Sequence, residues 1–271
     1  IKSVLALVIL YQILNRFHNK KYSHFRYLQY FNWNFKLYDI ILTLRGEKMG
    51  FIAIQIGLIL FAYLVGSIPN GLWIGKVFLK IDLREHGSKN IGASNALRVM
   101  GLKLGILTFA LDALKGALPI IIVRILKATI ELTTNVVILD QAYDYEIIFG
   151  VVAVLGHTFP LFNHFKGGKA VASSAGIVLT LTPIAGILCI ITYIVTVILT
   201  KYASLGSTFA ALTVFAAAFI EFSIRGLLLE QLFVLIVYTM MILFIFYRHR
   251  ENYKRLLKGT ENKMSFTKKK A

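Results

Sequence analysis

Long apolar stretches alternate with short polar segments along most of this chain of 271 residues. Runs of about 18 apolar residues with few charges are long enough to cross a bilayer as helices. Six apolar blocks follow position 49: 51–79, 101–126, 147–162, 172–199, 203–220 and 225–247. Because a backbone in lipid must satisfy its own hydrogen bonds, the pattern predicts an all-α polytopic integral membrane protein.

The polar segments between these blocks differ in charge. Lys and Arg are frequent in 80–100, in 163–171 and in the tail from 248, whereas 128–146 has four acidic residues and no basic one. Basic residues collect in the cytoplasmic loops of membrane proteins. We therefore expect the three basic segments to lie in the cytoplasm and 128–146 to lie outside.

The number of crossings follows from this arrangement. If 163–171 and the tail both lie inside, the chain between them crosses the membrane an even number of times. Three blocks are visible there, but 172–199 contains Pro183 and Gly186, and proline breaks the helical hydrogen-bond ladder. Two short crossings in this block predict about seven transmembrane helices with position 49 outside. A re-entrant loop would also restore the parity.

Composition narrows the chemistry further. The chain is 57% hydrophobic and carries a formal net charge of +17. In a membrane protein, this basic excess fits cytoplasmic loops, anionic lipids and anionic substrates better than nucleic acid. The single cysteine, Cys189, rules out an intramolecular disulfide, and no motif of paired ligands predicts a metal centre. We expect no metal and no cofactor.

Residues 1–48 differ from the rest of the chain. They join a short apolar stretch to a polar, aromatic and basic one and end in Arg-Gly-Glu-Lys before Met49. We expect an N-terminal extension here, either translated from an upstream sequence or forming an extra anchor. The membrane domain is expected over 49–263 and a basic tail over 264–271.

The first polar cluster, REHGSKNIGASNALRVMG, covers 84–101. It offers hydroxyl, amide and guanidinium groups from Ser88, Asn90, Asn95 and Arg98. Ser94 or Asn95 is expected to cap a helix, and helix N-termini bind anions. An ordinary polar loop with a helix cap accounts for the same residues.

The second cluster, GHTFPLFNHFKGGKAVASS, covers 156–174 and begins within the third apolar block. Lys166 and Lys169 on either side of Gly167 and Gly168 put cations next to accessible backbone N–H groups, an arrangement that suits phosphate. Lys166 is also compatible with a position at the membrane interface. His157 is either a structural histidine or a group that transfers protons.

The third cluster, YRHRENYKRLLKGTENK, covers 247–263. A basic anchor on anionic lipids accounts for its Lys and Arg residues. His249, Asn252 and Glu261 add specific hydrogen-bonding groups that such an anchor does not need. With the expected topology, all three clusters lie at one face of the membrane.

Several segments of the chain, in order, resemble signatures of the bacterial acyl-phosphate-dependent glycerol-3-phosphate acyltransferases, the PlsY family. They are GSIPNGLWIGK, GSKNIGASNALRVMG, LDALKG, GHTFPLFNHFKGGKAVAS, LGS and HRENYKRLLKGTENK, between about Met49 and Lys263. The resemblance implies seven transmembrane helices in the bacterial cell membrane, with the active site facing the cytoplasm. It also implies that a fatty acyl group passes from acyl phosphate to position 1 of sn-glycerol 3-phosphate. The products would be lysophosphatidic acid and phosphate, in the first step of phospholipid synthesis.

The resemblance also implies roles for individual residues. By motif, the catalytic residues are Ser88, Arg98, His157, Lys169, His249 and Asn252. The implied substrate-binding residues are Asn90, Asn95, Gly167, Gly168 and Glu261. The family pattern usually has Gly, Thr and Gly where this chain has Lys89, Ser94 and Ala170. Ala170 is expected to restrict the backbone beside Lys169.

Acyl phosphate is an activated donor, so positioning and charge stabilisation can supply most of the acceleration. We expect Arg98, Lys169 and His249 to hold the two phosphates. The proton of the attacking hydroxyl would pass to a substrate phosphate or to His157. Two alternatives remain: a polytopic anion transporter or channel, because polar loops at broken helices also serve such proteins, and a lipid-binding membrane protein without catalysis.

Overall fold

The computed structural model describes residues 47–138 and 140–264, which are mostly helical. The predicted extension therefore lies outside the described residues except for its last two positions, and the predicted tail lies outside them except for Met264. The α-helices in the described part are α1 (Glu47–Gly66), α2 (Asn70–Ile74), α3 (Ala93–Ile130), α4 (Ile147–Thr158), α5 (Val171–Leu181), α6 (Pro183–Thr200), α7 (Ala203–Ile224), α8 (Leu232–Arg248) and α9 (Arg250–Leu257). A π-helical turn covers Gly75–Leu79, and a 3-10 turn covers Leu161–Asn163.

Several of these helices are long and apolar enough to span a membrane. Among the described residues, α1, α3, α6 and α7 meet that condition, and α8 with α9 forms a fifth span if the 51° bend between them is allowed. This confirms the predicted helical, multi-pass membrane fold. The predicted number of seven is not reached by length, because α4 and α5 have 12 and 11 residues. Such helices are about 18 and 16 Å long, against a hydrocarbon core of about 30 Å.

A small antiparallel hairpin lies in the acidic segment, where the sequence predicted only a polar loop. Its strands are β1 (Asn135–Ile138) and β2 (Gln141–Asp144). Next to it, Arg124 at the end of α3 donates two hydrogen bonds to Glu146 Oε1, at 2.9 and 2.7 Å. This ion pair ties the start of α4 to the end of α3.

The apolar block over 172–199 is two helices. Helix α5 ends at Leu181 and α6 begins at Pro183, as the proline suggested. Thr182 between them has non-helical angles, φ −134° and ψ 77°. Its Oγ1 lies 2.9 Å from the hydroxyl oxygen of Tyr238 on α8. Proline is well tolerated at the first position of a helix, because the backbone N–H that it lacks would have no partner within the helix there.

Small residues let α3 and α5 pack closely. A Cβ on Gly116 would meet the backbone of Ser173, and one on Gly176 would meet the backbone of Ala113. Close backbone approach at glycine is a common way for helices to associate in membranes. This packing fixes the position of α5, which begins just after Lys169.

Helix α3 breaks at Gly101, where φ is 81° and ψ is 179°. Residues with a Cβ rarely adopt a positive φ, which explains why glycine occupies this position. The break separates a short helical piece over 93–100 from the long apolar part of α3. That short piece carries Asn95 and Arg98 of the first polar cluster.

Candidate active site

One cavity brings the three polar clusters together. Its volume is about 430 Å³, and its walls are formed by residues from helices α3 to α9 and from the loop before α3. Most of the predicted site residues line it: Ser88, Asn90, Asn95, Arg98, His157, Lys169, His249, Asn252 and Glu261. Gly167 and Gly168 are the predicted site residues that do not.

The cavity changes from polar to apolar along its length. From His249, which directly follows α8, the lining passes along α8 to Met241 and Tyr238. Tyr238 lies about 16 Å from His249 along the helix axis. Val178 on α5 and Val214 on α7 also line the apolar part. A molecule with an anionic head and a hydrocarbon tail fits this distribution.

Arg84 joins the loops of the first two clusters. Its Nη1 donates to Asn163 Oδ1 at 3.1 Å, and its Nη2 donates to Asp82 Oδ2 at 2.6 Å. Hydrogen bonding to this guanidinium lowers the pKa of the Asp82 carboxyl to about 2. No pattern in the chain marks Arg84, because its partner Asn163 is remote in sequence.

Asn95 organises the first cluster from inside. Its buried side-chain amide donates to the carbonyl oxygens of His86 and Asn90, at 3.0 and 2.8 Å. Its Oδ1 accepts a 2.8 Å hydrogen bond from the backbone N–H of Ser88. Asn95 therefore shapes the loop that carries Ser88, and its amide nitrogen is occupied by that loop.

The predicted cap of α3 is wrong. Neither Ser94 nor Asn95 caps the helix: the N-cap residue is Gly92, and its N–H donates to Asn90 Oδ1 at 2.9 Å. Ser94 Oγ instead lies 3.0 Å from the Tyr193 hydroxyl of α6. The side chain of Asn90 is thus also engaged within the loop.

Gly167 and Gly168 pack against the end of α4. The N–H of Gly168 donates to the His157 carbonyl at 3.1 Å, and its own carbonyl accepts from Arg248 Nη2 at 3.0 Å. A Cβ on Gly167 would meet the His157 carbonyl, and one on Gly168 would meet the His157 ring. Close packing explains both glycines, whereas the predicted open N–H of Gly168 is already bonded. Ala170 is left-handed at φ 69°, a conformation that favours glycine.

A chain of hydrogen bonds holds Lys169 at the cavity. Its Nζ donates to Asn252 Oδ1, and Asn252 Nδ2 donates to Glu261 Oε1 at 2.7 Å. Arg255 Nε donates to the other oxygen of Glu261 at 2.8 Å. Both carboxylate oxygens of Glu261 are engaged, so it orients Asn252. Burial lowers the pKa of Lys169 to about 8, an effect that Glu261 opposes and Arg255 reinforces.

His249 does not have the form expected of an anion ligand. Its Nδ1 lies 2.8 Å from the carbonyl oxygen of Ile245, which only accepts, so Nδ1 carries the hydrogen. The ring is buried next to the cavity, and burial disfavours a charged imidazole. In the neutral ring Nε2 is an acceptor. It suits a substrate hydroxyl better than a phosphate.

A buried ionic network lies behind His157. Lys115 Nζ is 2.9 Å from Asp112 Oδ1, 3.0 Å from His157 Nδ1 and 2.8 Å from the Ile68 carbonyl oxygen. Asn70 Nδ2 adds a 3.0 Å hydrogen bond to Asp112 Oδ1. An ammonium only donates, so Nδ1 of His157 accepts, and the hydrogen of the neutral ring sits on Nε2.

Asp112 and Lys115 were not among the predicted site residues. The signal was present: two opposite charges three residues apart inside an apolar block. Ionisable residues within a membrane segment are uncommon and are usually paired or functional. Asp112 also lines the cavity, which places the network directly against the candidate active site.

The chain is similar to curated bacterial enzymes. A family model described as glycerol-3-phosphate acyltransferase matches residues 56–259. The glycerol-3-phosphate acyltransferase of Acholeplasma laidlawii is 41% identical over 216 residues, which cover 76% of this chain and 91% of that protein. The Bacillus subtilis enzyme of the same description is 40% identical over 210 residues, covering 77% of this chain and 97% of that one.

Two solved structures are also similar. They are crystal structures of PlsY, an integral membrane glycerol 3-phosphate acyltransferase, in a glycerol 3-phosphate form and a lysophosphatidic acid form. Their TM-scores are 0.63 and 0.62 at 34% and 33% identity, and each match covers 78% of this chain and 95% of the other. The family predicted from the motifs is confirmed: this chain belongs to the PlsY family of integral membrane glycerol-3-phosphate acyltransferases.

Proposed function

We propose that this protein transfers a fatty acyl group from acyl phosphate to position 1 of sn-glycerol 3-phosphate. The products are lysophosphatidic acid and phosphate, and the reaction begins phospholipid synthesis. The observation that carries the proposal is the single cavity in which Arg98 and Lys169 meet an apolar lining. The related structures with glycerol 3-phosphate and lysophosphatidic acid support the acceptor and the product. The choice of acyl phosphate as donor rests on the sequence signatures.

The polar end of the cavity is proposed to face the cytoplasm of a bacterial cell. The basic residues near this end support that orientation, because such residues favour the cytoplasmic side. The acyl tail would reach the cavity from the bilayer, and glycerol 3-phosphate would arrive from water. Their reacting groups then meet at the interface, which explains cations at the ends of apolar helices.

The proposed reaction is a direct transfer. A glycerol hydroxyl oxygen attacks the acyl carbonyl carbon, the new ester C–O bond forms, and the bond from that carbon to the phosphate oxygen breaks. Arg98 and Lys169 hold the phosphates and stabilise the charge on the leaving group. His249 Nε2 and Asn252 orient the glycerol hydroxyls, and Ser88 lies close enough to the cavity to bind a substrate oxygen.

The proton of the attacking hydroxyl is proposed to pass to a substrate phosphate, whose second pKa is about 6. The Lys115 contact supports this choice, because it occupies the lone pair of His157 at Nδ1 and leaves a hydrogen on Nε2. His157 in this form can donate a hydrogen bond from Nε2 and does not accept the proton.

Membership of an enzyme family also weighs against the two alternatives, a transporter and a lipid-binding protein without catalysis.

Replacing His157 by Gln tests this assignment. The Gln amide offers an acceptor and a donor in place of Nδ1 and Nε2–H, so we expect kcat to fall by less than about tenfold. A general base contributes about a hundred- to ten-thousand-fold, so a loss near the upper value in a folded His157→Gln protein would identify the histidine as the base.

Activity should decline at alkaline pH because of Lys169. Its pKa of about 8 lies below the ordinary value, so the ammonium is charged at pH 7 and mostly neutral at pH 9. If that charge binds phosphate, kcat/KM should fall about tenfold between these pH values. In the Lys169→Arg variant the charge persists, so the decline should be absent whatever the absolute rate. An identical decline in that variant would assign it to another group.

The donor is tested with the purified full-length protein in detergent. Glycerol 3-phosphate is supplied with acyl phosphate, acyl-CoA or acyl-carrier protein as separate donors, and the Lys169→Ala variant serves as the control. Equal amounts of lysophosphatidic acid and phosphate from acyl phosphate alone are the expected result. Product formed only from a thioester donor would overturn the proposed donor. If the same protein is reconstituted into lipid vesicles, uptake of glycerol 3-phosphate without any product would favour a transporter.

A further inference from the structure

We infer that residues 262–264 form a strap that positions the Arg98 guanidinium at the polar end of the cavity. The strap lies beyond residue 259, where the match to the family model ends, and its Asn262 and Lys263 close the last of the resembling signatures. The inference rests on the proposed function, because Arg98 is valuable there as a ligand for a substrate phosphate. Met264 is a positioning residue in this account, and Arg98 is the residue that touches the substrate.

The contacts between Arg98 and the strap are mostly to backbone oxygens. Arg98 Nε donates to the Lys263 carbonyl at 3.3 Å, and Nη2 donates to the Asn262 carbonyl at 3.2 Å. Met264 Sδ lies 3.4 Å from Nη2, and Asn95 Oδ1 lies 3.4 Å from Nη1. A guanidinium has five N–H donors, and these contacts engage four of them. They fix its plane and leave one Nη1 hydrogen for an anion.

The strap is anchored at Met264. This side chain is 3% exposed and packs with Val197 and Ala203, next to Leu97 of α3. Its backbone N–H donates to the Lys201 carbonyl at 2.7 Å. The junction between α6 and α7 therefore holds the strap in place. Leu97 directly precedes Arg98 in the chain. The apolar cluster around Met264 therefore contacts both the strap and the helical turn that carries Arg98.

A fixed guanidinium binds phosphate more tightly than a mobile one. Arginine has several rotatable bonds, and ordering them on binding reduces affinity. The strap orders this side chain before the substrate arrives. Within the strap Met264 is buried and Asn262 is half-buried, whereas the Lys263 side chain is exposed. Loss of the anchor should release Arg98 without removing any group that contacts substrate.

The first test replaces Met264 by Ala in the full-length protein. We expect KM for glycerol 3-phosphate to rise about tenfold and kcat to fall as well, because a mobile Arg98 both holds phosphate and stabilises leaving-group charge less well. Met264→Leu keeps the apolar anchor and should restore a nearly normal KM. Leu257→Ala is the control, since Leu257 is 90% exposed on neighbouring α9 and lies outside the cavity lining. An unchanged KM in folded Met264→Ala would overturn the inference.

A double-mutant cycle separates positioning from general stability. If the strap acts through Arg98, Met264→Ala should have little further effect on KM in an Arg98→Lys protein. Lysine lacks the planar guanidinium that the strap holds. An equal effect in both backgrounds would show that Met264 acts only on overall structure and would overturn the inference.

The mobility of Arg98 can also be measured without catalysis, through the rate at which its side chain is chemically modified. Phenylglyoxal modifies arginine, and mass spectrometry gives the rate at Arg98. We expect faster modification in Met264→Ala than in the wild type or Met264→Leu, and equal rates would overturn the inference. If the wild-type protein transfers no acyl group, the proposed function fails, and this measurement still decides whether the strap restrains Arg98.

Discussion

Replacing either Arg98 or Lys169 by Ala should lower kcat/KM by about a hundred- to a thousand-fold. Both side chains line the polar end of the cavity, and Lys169 is held there by Asn252. Fixed donors aimed at developing negative charge contribute effects of this size in other enzymes. Initial rates with acyl phosphate and glycerol 3-phosphate measure the loss.

Lys166→Ala is the matched control for this loss. Lys166 is close to Lys169 in the chain but is exposed and does not line the cavity. Its replacement should change kcat/KM by less than about twofold, because solvent-exposed charges interact weakly. Nearly normal turnover in a folded Arg98→Ala or Lys169→Ala protein would contradict the proposed phosphate site.

Replacing Lys115 by Met should lower the free energy of unfolding by about 3–5 kcal/mol. The change leaves the carboxylate of Asp112, which is 1% exposed, without its ammonium partner. Removing one member of a buried ion pair has a cost of this size, because the remaining charge is desolvated and uncompensated. Denaturant or thermal unfolding of the purified protein in detergent measures it.

A second variant shows whether the charge is responsible. In Asp112→Asn/Lys115→Met the remaining charge is removed, so this protein should be more stable than Lys115→Met alone. The same low stability in both proteins would mean that packing around the Lys115 side chain, and not the ion pair, causes the loss.

The membrane fold could be predicted from the apolar blocks, and the break before α6 from Pro183. Both signals are local. The hairpin was missed although Val136, Val137 and Ile138 are β-branched residues that favour a strand. Its two strands have only four residues each, and runs this short are not distinguished from a loop by periodicity. The count of crossings was harder, because α4 and α5 are too short to be recognised as spans by length.

The residues gathered at the cavity could be predicted only through motifs. Chemical type suggested phosphate binding at Lys169, but the orientation of His249 depends on the Ile245 carbonyl, which no pattern reveals. The same holds for contacts that join remote segments. Arg84 meets Asn163, and Arg98 meets Asn262, only after the chain has folded.

The most direct test of one cavity holding both reactants is photo-labelling with a non-transferable acyl phosphonate that carries a diazirine at the end of its tail. With glycerol 3-phosphate present, labelled peptides identified by mass spectrometry should contain the apolar lining near Val178, Val214 or Met241. Unlabelled acyl phosphonate should suppress that labelling. Labels confined to outward-facing residues such as Ile220 and Leu243, which are 56% and 62% exposed, would contradict the account.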